Sequence, residues 1–114
     1  MIDIHCHILF GVDDGPQRLE DSIALAQALV ADGISTVVTT SHILDPPLSM
    51  QVIKERIKIL EKEFSARDID LTLLPGGENH YSLSLDEMRA HSINGSRYLL
   101  LEFPHSTITL IIAS

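Results

Sequence analysis

Short β-rich segments alternate with amphipathic ones along this chain, and that alternation restricts the possible folds more than any other feature. Met1 to His5 reads as a buried strand, followed by the turn-rich segment FGVDDGPQ. From Gln17 to Ala31, Leu19, Ile23, Ala26 and Val30 fall on one face of a helix that Gly33 ends. STVVTT is a β-branched strand of the buried type. Ser49 is placed to cap a second helix carrying the stripe Ile53, Ile57, Leu60 and Phe64. DLTLLP forms a third strand, Ser84 caps a short helix through about Ala90, and RYLLLEF forms a fourth strand. The order β-α-β-α-β-α-β predicts an α/β fold of four parallel strands joined by right-handed helical crossovers. In such sheets, open or closed into a barrel, sites gather at the C-terminal ends of the strands.

Polar residues collect at those ends. His5 and His7 are two residues apart, so in a strand they point to the same side, about 6.6 Å apart, close enough to converge on one ion. Cys6 between them points the other way, where a free cysteine packs. TTSH sets His42 at the end of the second strand, GGE sets Glu78 after the third, and LLLEF sets Glu102 at the end of the fourth. Asp13 and Asp14, just past the first strand, can reach the same rim, although DDGP reads equally well as a turn leading into a helix N-terminus. Glu102 is the most telling of these residues, because a carboxylate in a buried strand is costly unless it is paired or binds metal. His80 and His105 lie near Glu78 and Glu102 without being expected as ligands, and His91 is expected to be solvated at a polar helix end. The glycines of PGGENH lack the spacing of a nucleotide loop and instead let the backbone turn sharply.

The 114 residues suit one small domain. A net charge of −8 repels phosphate backbones, which argues against a nucleic-acid partner. A single cysteine excludes an internal disulfide framework and suits a reducing cytosol. The start MIDIH shows no signal-peptide pattern and no apolar run spans a bilayer, so a cytoplasmic location is expected.

The blocks MIDIHCHILFGVDDGP, TTSH, GGENHY and SRYLLLEF occur in an order that resembles the amino-terminal half of the bacterial capsule and exopolysaccharide tyrosine phosphatases. These enzymes belong to the polymerase-and-histidinol-phosphatase (PHP) superfamily. The resemblance covers Met1 to about Phe103. It implies a distorted barrel of seven βα units, with residues 1–103 forming its first part. It also implies a cluster of divalent metals, most often manganese with iron or zinc as options, and hydrolysis of phosphotyrosine on a tyrosine kinase that controls polysaccharide assembly. Carried over residue by residue, it gives His5 and His7 one metal, has Glu78 bridge to a second that Glu102 also binds, and gives His42 and Asp14 a third.

Residues 104–114, PHSTITLIIAS, depart from the family's pattern and are read as a divergent, truncated tail. The phosphate-gripping arginines and further ligands of the family have no counterpart in this sequence, so no catalytic side chain is assigned. Four strands of a barrel leave an open edge, which predicts self-association. Two alternatives accompany the phosphatase reading. One is a phosphoesterase of the same superfamily acting on a small phosphorylated metabolite such as histidinol phosphate; the other is a catalytically inactive metal-binding fragment.

Overall fold

The helical stripes fix the outer layer in the computed structural model, which describes residues 1–104 and 107–113. Helix α2 spans Met50–Ala66, and the Ser49 hydroxyl caps it by accepting the Val52 N–H at 3.1 Å. Its stripe Ile53, Ile57, Leu60 and Phe64 is buried, which stabilises the fold by about 1.5–3 kcal/mol per side chain. Helix α1 spans Leu19–Ala31 and buries Ile23 and Ala26. It starts two residues later than the apolar spacing predicts, because the Gln17 side chain donates to the carbonyls of Asp13 and Gly15 and closes the preceding loop. Helix α3, Leu85–Arg89, begins at Ser84 with a reciprocal capping box to Glu87.

The strands are β1 Ile2–Cys6, β2 Thr36–Thr39, β3 His42–Ile43, β4 Thr72–Pro75, β5 Glu78–His80, β6 Tyr98–Phe103 and β7 Thr107–Ile112. β2 and β4 fall within the two middle strands read from the sequence, and each is followed after two residues by a further short strand, β3 or β5, that the sequence reading did not include. One parallel sheet is ordered β1-β2-β4, and a second sheet is ordered β3-β5-β6-β7. The breaks lie side by side, at Thr40–Ser41 and Gly76–Gly77, where the Glu78 N–H still reaches the Ser41 carbonyl at 2.9 Å. Close packing demands glycine here. A Cβ on Gly76 would lie 2.9 Å from Val38 Cγ1, and one on Gly77 would lie 2.5 Å from Ile43 Cγ1.

Strand β7 differs from the expected parallel pattern. It pairs antiparallel with β6, from Tyr98 opposite Ile112 to Phe103 opposite Thr107. Only three residues separate the two strands, too few for the helix that a parallel return requires. Strand β1 also departs from the sequence reading: as an edge strand it leaves Ile2 and Ile4 exposed instead of buried. No helix among the described residues is long and apolar enough to cross a membrane.

Candidate metal centre

The register of the second sheet gathers the polar residues. His42 and Glu78 are direct partners across β3 and β5. Glu78 faces Leu100 across β5 and β6, so Glu102, two residues further on, projects from the same side. Strand β1 and the turn after it deliver His5 and His7 from the neighbouring sheet. These side chains converge on Glu78, whose carboxylate is 4% exposed. Glu78 Oε2 lies 3.0 Å from His5 Nε2, 2.5 Å from His7 Nε2 and 3.7 Å from His42 Nδ1. His42 turns its Nδ1 to Glu102 Oε2 at 3.0 Å and its Nε2 to Asp14 Oδ1 at 3.3 Å. Ring centroids are 5.3 Å apart for His5 and His7, and 4.4 Å for His7 and His42.

Three triads bring ligand atoms within 4.8 Å of one another: His5 with His7 and Glu78, His42 with Glu78 and Glu102, and His7 with Asp14 and His42. All six residues singled out in the sequence lie in these triads. His7, His42 and Glu78 each belong to two, a sharing that the linear motifs do not convey.

Asp13 and Asp14 play different parts. Asp14 is exposed and only its Oδ1 reaches the rings. Asp13 is buried: its Oδ1 accepts the Gly15 N–H at 2.9 Å, and its Oδ2 accepts the His42 N–H at 3.0 Å and lies 3.4 Å from His7 Nδ1. It therefore orients the His7 imidazole from behind, as carboxylates commonly do for metal-ligating histidines, and fixes the backbone that carries His42. The DDG sequence is the signal for this role, because the first Asp of such a turn bonds the backbone two residues on.

Electrostatics follow from these contacts. The Asp13 hydrogen bond raises His7 to about 9, against the opposing effect of burial and with further help from Glu78. Burial pushes the Asp13 carboxyl up, but hydrogen bonds from His7 and from the Gly15 and His42 N–H groups outweigh it and hold Asp13 at about 2. Burial likewise opposes ionisation of Glu78, yet its bonds with Glu102, His5 and His7 lower it. The shared bond with Glu78, together with burial, raises Glu102. Two carboxyl groups in contact must share a proton or a cation.

This centre fits a divalent ion. Glu102 Oε2 is buried beside His42 Nδ1 at 3.0 Å but meets no donor in hydrogen-bond geometry among the described residues, so a cation would supply the partner it lacks. Imidazole and carboxylate donors without thiolate suit manganese, iron or zinc. Beside the cluster a cavity of about 470 Å3 is lined by Val12, Asp13, Asp14, His42, Leu44, Pro46, Leu48 and Glu102.

The remaining candidates fall elsewhere. His91 is not solvated; it is 4% exposed, with Nδ1 3.0 Å from the Glu87 carbonyl and Nε2 2.5 Å from the Leu48 carbonyl. The helix end is short enough for the ring to fold back under the Leu48 loop. His80 Nδ1 pairs with the Ser82 hydroxyl at 2.7 Å. His105 lies outside the described residues. Cys6 packs in the core, where burial, aided by the Asp3 charge, pushes its thiol to about 11.

Comparison with known proteins agrees with this picture. Residues 1–113 match the family described as capsular polysaccharide synthesis, CpsB/CapC, a match that runs past the boundary drawn at residue 103. The tyrosine-protein phosphatase YwqE of Bacillus subtilis is 37% identical over 110 residues, covering 91% of this chain and 43% of YwqE. The tyrosine-protein phosphatase CpsB of Streptococcus pneumoniae is 36% identical over 113 residues, covering 94% of this chain and 46% of CpsB. A solved chain from work describing YwqE and CpsB as unique metal-dependent tyrosine phosphatases superposes with a TM-score of 0.84 at 36% identity, covering 91% of this chain and 44% of that one. The chain thus spans less than half the length of the relatives it matches. By its family match over residues 1–113, this protein belongs to the CpsB/CapC family of capsular polysaccharide synthesis.

Proposed function

We propose that this chain supplies the metal-binding part of a phosphoesterase that hydrolyses phosphotyrosine on a bacterial tyrosine kinase of capsule or exopolysaccharide synthesis. One observation carries the reading: His5, His7, Asp14, His42, Glu78 and Glu102, drawn from separate strands and turns, form three overlapping triads on one rim. The names of the relatives supply the substrate class. In this reading residues 1–103 are the first part of a distorted PHP-type barrel of seven βα units, and residues 104–114 are a divergent tail.

Manganese is the proposed ion, with iron or zinc as substitutes; divalent ions in such a site activate water and neutralise phosphate charge. His5, His7 and Glu78 would hold one ion, His42, Glu78 and Glu102 a second, and His7, Asp14 and His42 a third. The chain's own residues prepare the site. Asp13 fixes the His7 ring and the His42 backbone, while Leu44, Pro46 and Leu48 form an apolar wall of the adjoining cavity. A cytoplasmic location suits the single buried thiol. Self-association is proposed through β7, whose Leu110 and Ile112 are exposed.

A second reading, metal binding without turnover, is favoured by a specific observation. Among the described residues none that lines the cavity beside the cluster is a lysine or arginine, so none of them grips a phosphate by a full positive charge. Assay of the purified chain on a phosphotyrosine peptide with added manganese separates the two. Turnover that disappears in Glu78→Ala supports the hydrolase; metal uptake without turnover supports the second reading.

A further inference from the structure

The chain carries eight basic residues against sixteen acidic ones, yet three of the eight line a single cavity away from the metal cluster. This cavity, about 580 Å3, is bordered by Lys54 from α2, Arg89 from the end of α3 and Arg97 from the turn before β6. Among the described residues it shares no lining residue with the cavity beside the metal cluster. No aspartate or glutamate lines it among the described residues. Arg89 Nη1 lies 3.7 Å from the exposed Asp86 carboxylate. Lys54 and Arg97 form no ion pair among the described residues, and both are exposed. Ser92, Asn94 and Ser96 add polar groups along one wall.

Three cations carried on three separate elements would repel one another across a small space. In a protein of net charge −8 the surrounding acidic field offsets part of that cost without filling the cavity. Arginine and lysine lining one cavity suit phosphate, which accepts the arginine fork and the lysine point charge together. The volume lies within the usual range of about 300–1,000 Å3 for small-molecule sites, well above what one inorganic phosphate fills. We infer that Lys54, Arg89 and Arg97 form a binding site for a small molecule bearing a diphosphate group, separate from the metal centre. This inference does not depend on the phosphatase reading.

Isothermal titration calorimetry of the metal-free chain, in chelator-treated buffer at 0.15 M salt, tests it with inorganic pyrophosphate and with ADP as probes. Saturable binding of at least one probe at one site per chain is expected. The double variant Lys54→Ala/Arg97→Ala is expected to weaken it at least tenfold, while Glu78→Gln leaves it unchanged. Equal affinity for the two probes assigns recognition to the diphosphate alone, and tighter binding of ADP adds the rest of the cavity. Both substituted side chains are exposed, so the double variant keeps its fold, which circular dichroism checks. Absence of saturable binding for both probes, unchanged affinity in the double variant, or loss of binding in Glu78→Gln would each overturn the inference.

Discussion

Replacing Asp13 by Asn tests the part of the centre that positions the histidines. The carboxylate is 4% exposed and receives N–H groups from Gly15 and His42 beside the His7 ring. An asparagine of the same shape keeps one acceptor oxygen, but it turns an amide donor towards another donor, leaving a buried group unpaired at a cost of about 1–3 kcal/mol. The charge itself matters comparably. A carboxyl held at about 2 instead of 3.8 corresponds to about 2–3 kcal/mol of interaction with its surroundings. His7, raised to about 9, reports the same contact from the other side, so the two values are not summed.

The pH dependence follows from the signs. Asp13 is depressed, so in the metal-free protein its stabilisation is present above about pH 4 and lost as pH falls towards 2. His7 is raised, so its share is complete below about pH 6.5 and lost as pH climbs through 9. Urea unfolding of metal-free protein across this range is expected to give a plateau between the two flanks. In Asp13→Asn the plateau should drop by about 2–3 kcal/mol and both flanks should flatten. Manganese affinity should fall about 10- to 100-fold, the usual cost of losing a carboxylate that orients a ligating histidine. A variant with native stability, native pH flanks and native metal affinity would refute the role given to Asp13.

Other substitutions probe the fold and the thiol. Gly77→Ala brings a Cβ to 2.5 Å from Ile43 Cγ1 and 3.0 Å from the His91 Cβ, so thermal or urea unfolding should register a loss of about 1–3 kcal/mol; an unchanged midpoint would show that the sheet break tolerates a side chain. Cys6→Ser should retain metal binding, and the native thiol should react slowly with iodoacetamide at neutral pH, because the group is buried with its thiol near 11. Rapid alkylation of folded protein would contradict that. Ser84→Ala removes the hydroxyl that accepts the Glu87 N–H in the α3 capping box and should cost about 0.5–2 kcal/mol in urea unfolding, with no effect on metal uptake.

Helix positions were the most legible part of the fold, because burial of Ile53, Ile57, Leu60 and Phe64 is written as a 3.6-residue period. The convergence of the candidate residues was legible for a similar reason: parallel pairing of β3, β5 and β6 brings His42, Glu78 and Glu102 together, while His7 and Asp14 reach them from the turn after β1. The further short strand beyond each break, at Thr40–Ser41 and Gly76–Gly77, was not. It depends on contacts between Gly77 and Ile43, residues 34 positions apart, which no local pattern encodes. His91 escaped for the same reason, since its Leu48 partner is 43 residues away and a polar helix end looks solvated until the chain folds over it. Adjacent aspartates could not be ranked from sequence; the turn geometry buries one and exposes the other.

Equilibrium dialysis of the chain against excess manganese chloride, followed by elemental analysis, tests the central claim most directly. Glu78 belongs to two of the three triads and His5 to one. The native chain is expected to hold at least two manganese ions, His5→Ala fewer, and Glu78→Ala fewest. Equal manganese content in all three proteins would contradict a metal centre built on Glu78.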